Sequence, residues 1–564
     1  MSAQMLDKFT AQARIPPSLF ALCALAGLFH SLSMAWPGEG TPVWWLQLVS
    51  LAALCSLIRR ATSWRSAAGM TWLFAIAWLV GSFWWLFISM HEHGGLPAPL
   101  AGFGVMALAG LLAVYYGVAG GLFIAGARGH PVWDSFLFAA LWLGAELARG
   151  TFLTGFPWAV AGYAHTEGPF SGLAAWVGVY GISTFVALSA GLLSTFVPAL
   201  IVRAPHSHGL ATLACTALVS VVVWSASHWR MEAQPHGRPM RMALLQGNIA
   251  QEQKFDLDTG VATALDWYGQ ALRETSADLL VTAETAIPLL PQDLPDGYLS
   301  ELQISFSQAS RAALVGMPLG SIEGRYTNSV VGLGPVSKSG DYQYDKHHLV
   351  PFGEFSPHMF GWLTRMMNIP LGDFARGPAA QNSFEWQGQR LAPNICFEDL
   401  FGEELAARFR DVSRAPTILV NLSNIAWFGN TVAIDQHLQI SRMRAMEFRR
   451  PVVRATNTGA TAAIDAYGQI TEMLTSHTRG VLIADVQGAS GITPFVWWSS
   501  RFGIWPLWLL VLIGSCLTFW LPRHLSARSL INSAEMPACL TRKSKRSASM
   551  LDENTSFNNF RLHK

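Results

Sequence analysis

The sequence predicts a multi-span α-helical membrane domain, then an α/β layered sandwich domain, then one last membrane span. Three observations carry this. Of 564 residues, 51% are hydrophobic and only 13% charged, and the scarcity of charge is concentrated in the first 230. Seven apolar stretches fill that part, near 17–36, 42–58, 69–90, 99–126, 132–148, 175–201 and 210–228, with an eighth at about 502–521. Between them, over 240–487, short β-rich runs alternate with helical patterns.

Each apolar stretch approaches the roughly 20 residues that cross about 30 Å of hydrocarbon, the second and fifth being short. The first is not a cleavable signal peptide, because more spans follow and no small-residue cleavage site stands behind it. Basic residues set the orientation. Arg59, Arg60 and Arg65 follow span two, Arg128 span four, Arg203 span six, and Arg523 and Arg528 span eight. The alternate loops, such as His91-Glu92-His93-Gly94-Gly95, are poor in Lys and Arg. The positive-inside rule then places both termini in the cytoplasm and the hydrophilic segment outside it. Four parts result: a membrane domain over 1–229, an extracytoplasmic domain over 230–499, a span over 500–522, and a basic tail over 523–564. That tail, with Arg542, Lys543, Lys545 and Arg546, is expected to be disordered and suited to an anionic inner leaflet.

The strand runs expected in the sandwich are 242–246, 279–283, 313–316, 329–333, 417–421, 452–456, 461–465 and 481–485, with helices over 261–275 and 433–449. A net charge of +2 excludes an electrostatic footprint for nucleic acid, and no P-loop is present. Of six cysteines, Cys396 is the only one in the hydrophilic segment, and neither CxxC nor Cys/His metal spacing surrounds it. No metal and no cofactor is expected.

Cys396 ends an apolar run, Arg390 to Ile395, just before the helical pattern that begins at Phe401. A cysteine at such a corner can aim its sulfur into a cleft beside the N–H groups of the next turn, which suits a thiolate nucleophile and an oxyanion hole. A free thiol is mostly protonated near neutrality and needs a base or a cation. Two strand ends offer them: Thr282-Ala283-Glu284-Thr285-Ala286-Ile287-Pro288, and the run from Tyr344 through Lys346, His347 and His348 to Glu354. Glu284 suits a base and Lys346 an oxyanion partner, while His347 and His348 allow a less favoured Cys-His pairing.

In order and flanks, Glu284, Lys346 and Cys396 resemble the Glu-Lys-Cys triad of the nitrilase superfamily. Together with the spans, the chain from about 17 to 521 resembles the apolipoprotein N-acyltransferase family. Further motifs carry the likeness: Asn421-Leu422-Ser423-Asn424, Ala426-Trp427-Phe428-Gly429, Arg449-Arg450-Pro451, Arg454-Ala455-Thr456-Asn457-Thr458-Gly459, Gly155-Phe156-Pro157-Trp158 and Val179-Tyr180-Gly181. The resemblance implies a nitrilase-like αββα sandwich on the periplasmic side of the bacterial inner membrane. The implied reaction moves an acyl chain from a phospholipid donor to the α-amino group of a diacylglyceryl-cysteine lipoprotein acceptor, by ping-pong through a thioester. Cys396 would be nucleophile, Glu284 general base, Lys346 oxyanion stabiliser, Glu354 and Glu398 supporting acids, and Trp427 and Phe428 substrate-lining residues. The protein is expected to be a monomer.

Two positions depart from the family pattern. Phe397 stands where a tyrosine is common, leaving it a backbone N–H and a packing face, and Ile425 stands where an aspartate is common. Glu146 and Arg149, near the Gly155 to Trp158 loop, read either as an interfacial anchor or as part of a lipid entrance. The rival functions are a membrane-tethered amidase that releases the acyl group to water, and a transporter or receptor. The second is disfavoured because the clearest ionisable constellation lies outside the spans.

Overall fold

The computed structural model describes residues 16–202, 209–228, 231–321, 325–335, 342–355 and 374–520. The basic tail over 523–564, with Arg203, Arg523 and Arg528, lies outside the described residues.

Seven helices answer the seven N-terminal apolar stretches: α1 Pro17–Ser31, α2 Trp44–Ile58, α3 Trp64–Phe83, α4 Ala98–Gly126, α5 Pro131–Thr151, α6 Ala174–Val202 and α7 Gly209–His228. Local chemistry fixes their starts. Prolines open α1, α4 and α5, where a preset φ suits the first turn. Ser63 and Ser66 exchange hydrogen bonds of 3.1 and 3.2 Å across the start of α3. Gly120 lets α4 close on Thr71 of α3 where a Cβ would have no room.

Two expectations about span length are corrected. The first stretch yields a helix of only 15 residues, as does the second. At about 1.5 Å per residue each is about 22 Å long and falls short of the hydrocarbon core. Residues 32–35 form turns and bends instead, and the Trp36 N–H donates to Thr41 O at 2.8 Å. The fifth stretch, expected short, is a 21-residue helix. Among the described residues, five helices, α3 to α7, are long and apolar enough to cross a membrane. The C-terminal apolar stretch is a bent pair, Pro494–Phe502 and Trp505–Leu517, turning by 93°, so the expected boundary at 500 cuts through the first of the two helices.

The rest is a four-layer sandwich. One sheet joins β1 Met240–Gln246, β2 Leu279–Val281, β3 Ala312–Gly320, β4 Tyr326–Leu333, β5 Gln343–Asp345 and β12 Gly480–Val486 in the order β12-β1-β2-β3-β4-β5. The other joins β6 Phe384–Trp386, β7 Gln389–Ile395, β8 Ile418–Ser423, β9 Val452–Thr456, β10 Ala462–Ile464 and β11 Ile470–Met473 in the order β11-β10-β9-β8-β7-β6. In each sheet the central strands β1–β2–β3 and β7–β8–β9 run parallel. Period-2 alternation sorts their side chains. Met242, Leu244, Val281, Leu391, Ile395 and Val420 meet between the sheets. Ala243, Leu245 and Leu280 face α8 Ala262–Glu274 and α9 Tyr298–Gln308.

The outer face of the second sheet packs on α10 Ala433–Phe448, in which every residue but Asp435 is buried. Its apolar contacts run without a break into the membrane helices, and its polar side chains bolt the two parts together. Gln436 accepts from the Trp85 and Trp158 indoles at 3.2 and 2.8 Å and donates to Ser82 O at 2.9 Å. Gln439 accepts from Thr166, Arg442 pairs with Glu167, and Glu447 accepts from the Val179 N–H.

Candidate active site

Glu284 follows β2 and Lys346 follows β5, both strand ends on the same edge of the first sheet. Lys346 is 1% exposed and sits between two carboxylates, with Nζ 3.2 Å from Glu284 Oε1 and 2.8 Å from Glu354 Oε1. Asn328, from β4, donates through Nδ2 to both carboxylates at 2.8 and 2.9 Å. The Asn424 backbone N–H donates to Glu284 Oε2 at 2.9 Å, and the Val350 N–H to Glu354 Oε2 at 2.8 Å. Every carboxylate oxygen of the pair is therefore committed to a donor.

Cys396 begins the 3-10 turn Cys396–Leu400 at the end of β7, at φ 53°. A non-glycine residue in the left-handed region costs about 1–3 kcal/mol, so this corner is held by its surroundings. Glu398 supplies one hold, accepting from the N–H groups of Ile395, His347 and His348 at 2.7, 2.6 and 3.2 Å and from Tyr344 OH at 2.8 Å. It thus ties the cysteine turn to the loop that carries Lys346. A second hold lies beneath, where buried Arg454 donates to His437 O and Ser441 Oγ, both at 2.8 Å, and Ser441 Oγ donates to Asp399.

The histidines are occupied elsewhere. His347 Nδ1 lies 2.8 Å from Gly377 O, and His348 pairs with Glu404 at 3.0 Å while stacking on Phe401. Phe397 turns its ring into the fold, 6.1 Å from Phe156 of the membrane part. Trp427 and Phe428 form the turn after β8 and also reach that part: Phe428 lies 4.2 Å from the Trp85 ring, and Trp427 5.8 Å from His93. Glu146 and Arg149 prove to be fully buried, not at a lipid interface. Arg149 donates to Phe156 O and Trp158 O at 2.7 and 2.6 Å, and Glu146 accepts from the Ala161 N–H at 2.8 Å, so the two fix the loop that meets Phe397. Ile425 is buried against Gly459, leaving the Asn424 N–H to serve Glu284.

Charge defines what the cluster can do. Burial opposes the Glu284 carboxylate, but the Lys346 and Lys254 ammoniums and Asn328 outweigh it and hold Glu284 below the ordinary glutamate range. Burial likewise opposes the Lys346 charge, and Glu284 and Glu354 more than restore it. The Cys396 thiol is pushed up to about 12 by burial and by the Glu284 charge, with Lys346 opposing. The resting state is thus an ionised glutamate and lysine beside a neutral thiol. Two contributors escaped the sequence reading. Asn328 lies inside a strand with no local signal, and Lys254, in the loop after β1, donates to the Glu284 carbonyl at 3.0 Å.

A carboxylate, a buried lysine and a cysteine on a left-handed corner, built on paired six-stranded sheets, define a carbon–nitrogen hydrolase fold. The carbon-nitrogen hydrolase family model matches residues 241–492, and the model of the apolipoprotein N-acyltransferase N-terminal domain matches residues 19–192. An apolipoprotein N-acyltransferase of Verminephrobacter eiseniae is 53% identical, over 87% of this chain and 95% of its own length. One from Ralstonia nicotianae is 45% identical, over 84% and 89% respectively. An amidase from Nesterenkonia sp. aligns with a TM-score of 0.35 at 17% identity, over 48% of this chain and 97% of its own. The chain belongs to the apolipoprotein N-acyltransferase family and is an acyltransferase.

Proposed function

We propose that the protein N-acylates lipoproteins at the bacterial inner membrane, taking the acyl chain from a phospholipid and holding it as a thioester on Cys396. The observation that carries this is the buried Glu284–Lys346–Glu354 cluster beside a cysteine whose turn is docked, through Phe397, onto the loop that follows α5. In this reading residues 1–229 and 500–522 embed the protein as a monomer. Residues 230–499 carry the chemistry on the periplasmic side, and 523–564 stay in the cytoplasm.

The thiol stands well above Glu284, so a free thiolate is too costly to form ahead of attack. The proton passes from Sγ to Glu284 as sulfur bonds to the ester carbonyl carbon. The carbonyl electrons move onto oxygen, where Lys346 and the Phe397 N–H stabilise them. On collapse the carbon–oxygen ester bond breaks, and Glu284 returns its proton to the departing lysophospholipid oxygen. The lipoprotein amine then attacks the thioester carbonyl, Glu284 takes the amine proton, and sulfur leaves and is reprotonated. Trp427 and Phe428 line the acyl site, beside the membrane rings that they touch.

Incubation with phospholipid alone is expected to add one acyl mass to the protein, removable by neutral hydroxylamine and absent from Cys396→Ala. Transfer to a diacylated lipopeptide without such an adduct would favour a direct ternary transfer. An adduct that decays to free fatty acid with lipopeptide present would favour the amidase reading. Orientation has its own test. Reporter fusions near 62 and 128 should be cytoplasmic and fusions near 94 and 300 periplasmic, and a cytoplasmic signal near 300 would overturn the lipoprotein substrate.

A further inference from the structure

Lys346 cannot balance its own surroundings. It contacts two carboxylates, Glu284 and Glu354, so those three groups sum to one negative charge. A net negative cluster opposes both events the reaction needs, the gathering of charge on sulfur and then on the carbonyl oxygen. The nearby charges do not correct this. Arg454 is offset by Asp399, which it reaches through Ser441, and Glu398 is held by three backbone N–H groups and a tyrosine hydroxyl.

We propose that Lys254 is the balancing cation of the site, an electrostatic positioning residue that stays protonated throughout the cycle and makes the nucleophilic cluster neutral. The residue is 3% exposed, and its ammonium donates to the main-chain carbonyl of Glu284 at 3.0 Å. The loop that bears it is pinned around the same carboxylate. Gln251 accepts from Asn424 Nδ2 at 2.8 Å, Asn457 donates to Asn424 Oδ1 at 3.1 Å and to Ile249 O at 2.8 Å, and the Asn424 N–H completes the circuit to Glu284. A long aliphatic stem buried to bring one ammonium to one carbonyl is costly for a hydrogen bond alone, and the field of the carboxylates is what repays it.

The balance holds at each stage. At rest, Glu284 and Glu354 oppose Lys346 and Lys254. When Glu284 has taken the thiol proton, the developing charge on sulfur replaces the charge that Glu284 lost. The group whose charge favours the Lys254 ammonium at rest is Glu284, joined by Cys396 once charge gathers on sulfur, while Glu252 and Asp256 of its own loop are exposed. Burial brings the ammonium down to about 8, with those two partners opposing, so the cation is present at neutral pH and is lost in mild alkali.

This inference rests on Cys396 being the nucleophile, but not on the acyl donor. The test is therefore the rate of Cys396 alkylation by iodoacetamide in the detergent-solubilised full chain between pH 6 and 10, with Cys396→Ala as the blank. The wild-type rate is expected to level off and then dip above about pH 8, before hydroxide-driven ionisation takes over. Lys254→Met should alkylate at least about tenfold more slowly at pH 7 and show no dip. Lys254→Arg, with a cation that does not titrate in this range, should keep most of the neutral-pH rate and show no dip up to pH 10. A Lys254→Met protein with the wild-type rate and profile, or a Lys254→Arg protein whose dip stays near pH 8, overturns the proposal. If Lys254→Met does not fold, the Lys254→Arg profile decides alone. Failure of the thioester reading would show separately, as alkylation that depends on Lys254 in a protein that forms no acyl adduct.

Discussion

Cys396→Ala is expected to abolish acyl transfer and adduct formation while the chain stays folded, and Glu284→Gln to lower transfer at least about a hundredfold. Removing one sulfur from a partly exposed corner deletes little packing, and alanine keeps the same φ 53° backbone that Glu398 and the Arg454–Asp399 layer impose. Glu284→Gln keeps the volume but brings an amide donor into a position surrounded by donors: Lys346 Nζ, Asn328 Nδ2 and the Asn424 N–H. It therefore loses the proton acceptor and strains the cluster as well. Transfer of a labelled acyl chain to a diacylated lipopeptide measures the rate, and the thermal unfolding midpoint in detergent checks the fold. Near-normal transfer by Glu284→Gln would remove the general-base assignment. Loss of the folded protein in Cys396→Ala would instead show that the sulfur is needed for packing.

The sequence made legible what repeats or punctuates. Eight strands were readable as short β-rich runs, and Glu284 follows the end of one of them, while Cys396 follows the apolar run Arg390 to Ile395 and Lys346 the short strand Gln343–Asp345. What it hid depends on partners distant in the chain. The fifth membrane helix, read as short over 132–148, carries Asp134, Glu146 and Arg149. Yet Asp134 accepts from the N–H groups of Arg128 and Gly129 and pairs with Arg59, and Arg149 and Glu146 serve the loop beyond. Such pairing lets charge reside in a buried helix. The first helix erred the other way, because apolar residues such as Leu32, Met34 and Trp36 can turn as readily as they can span. The helix expected over 433–449 gave no sign of its partners, yet Gln436, Gln439, Arg442 and Glu447 of α10 each bind a membrane-side group. Asn328 and Lys254 carried no local signal at all, since each acts only through a fold that brings it to Glu284.

Lys346→Met is expected to cost at least about a hundredfold in transfer and, separately, about 3–5 kcal/mol in stability at pH 7, the usual result of breaking a buried pair by removing one partner. The reason is that Glu284 and Glu354 share Asn328 Nδ2 and would then face each other with no cation between them. The stability loss should depend on pH with a definite sign. In the wild-type chain Glu284 is held below its unfolded value. Its contribution is therefore full above the unfolded glutamate pKa of about 4.3, and is lost only as pH falls through the lower folded value. Without Lys346, burial and the neighbouring carboxylate push one of the pair above the unfolded value. The folded variant then binds a proton that the unfolded chain does not, so stability falls as pH rises through that higher folded pKa. The gap between Lys346→Met and wild type should accordingly be widest at pH 7–8 and narrow toward pH 5, read as thermal midpoints in detergent across that range. Activity should not return at pH 5, because a protonated Glu284 cannot accept the thiol proton. A gap that is constant with pH would mean that Lys346 contributes packing rather than charge, and transfer near the wild-type rate would take it out of the reaction altogether.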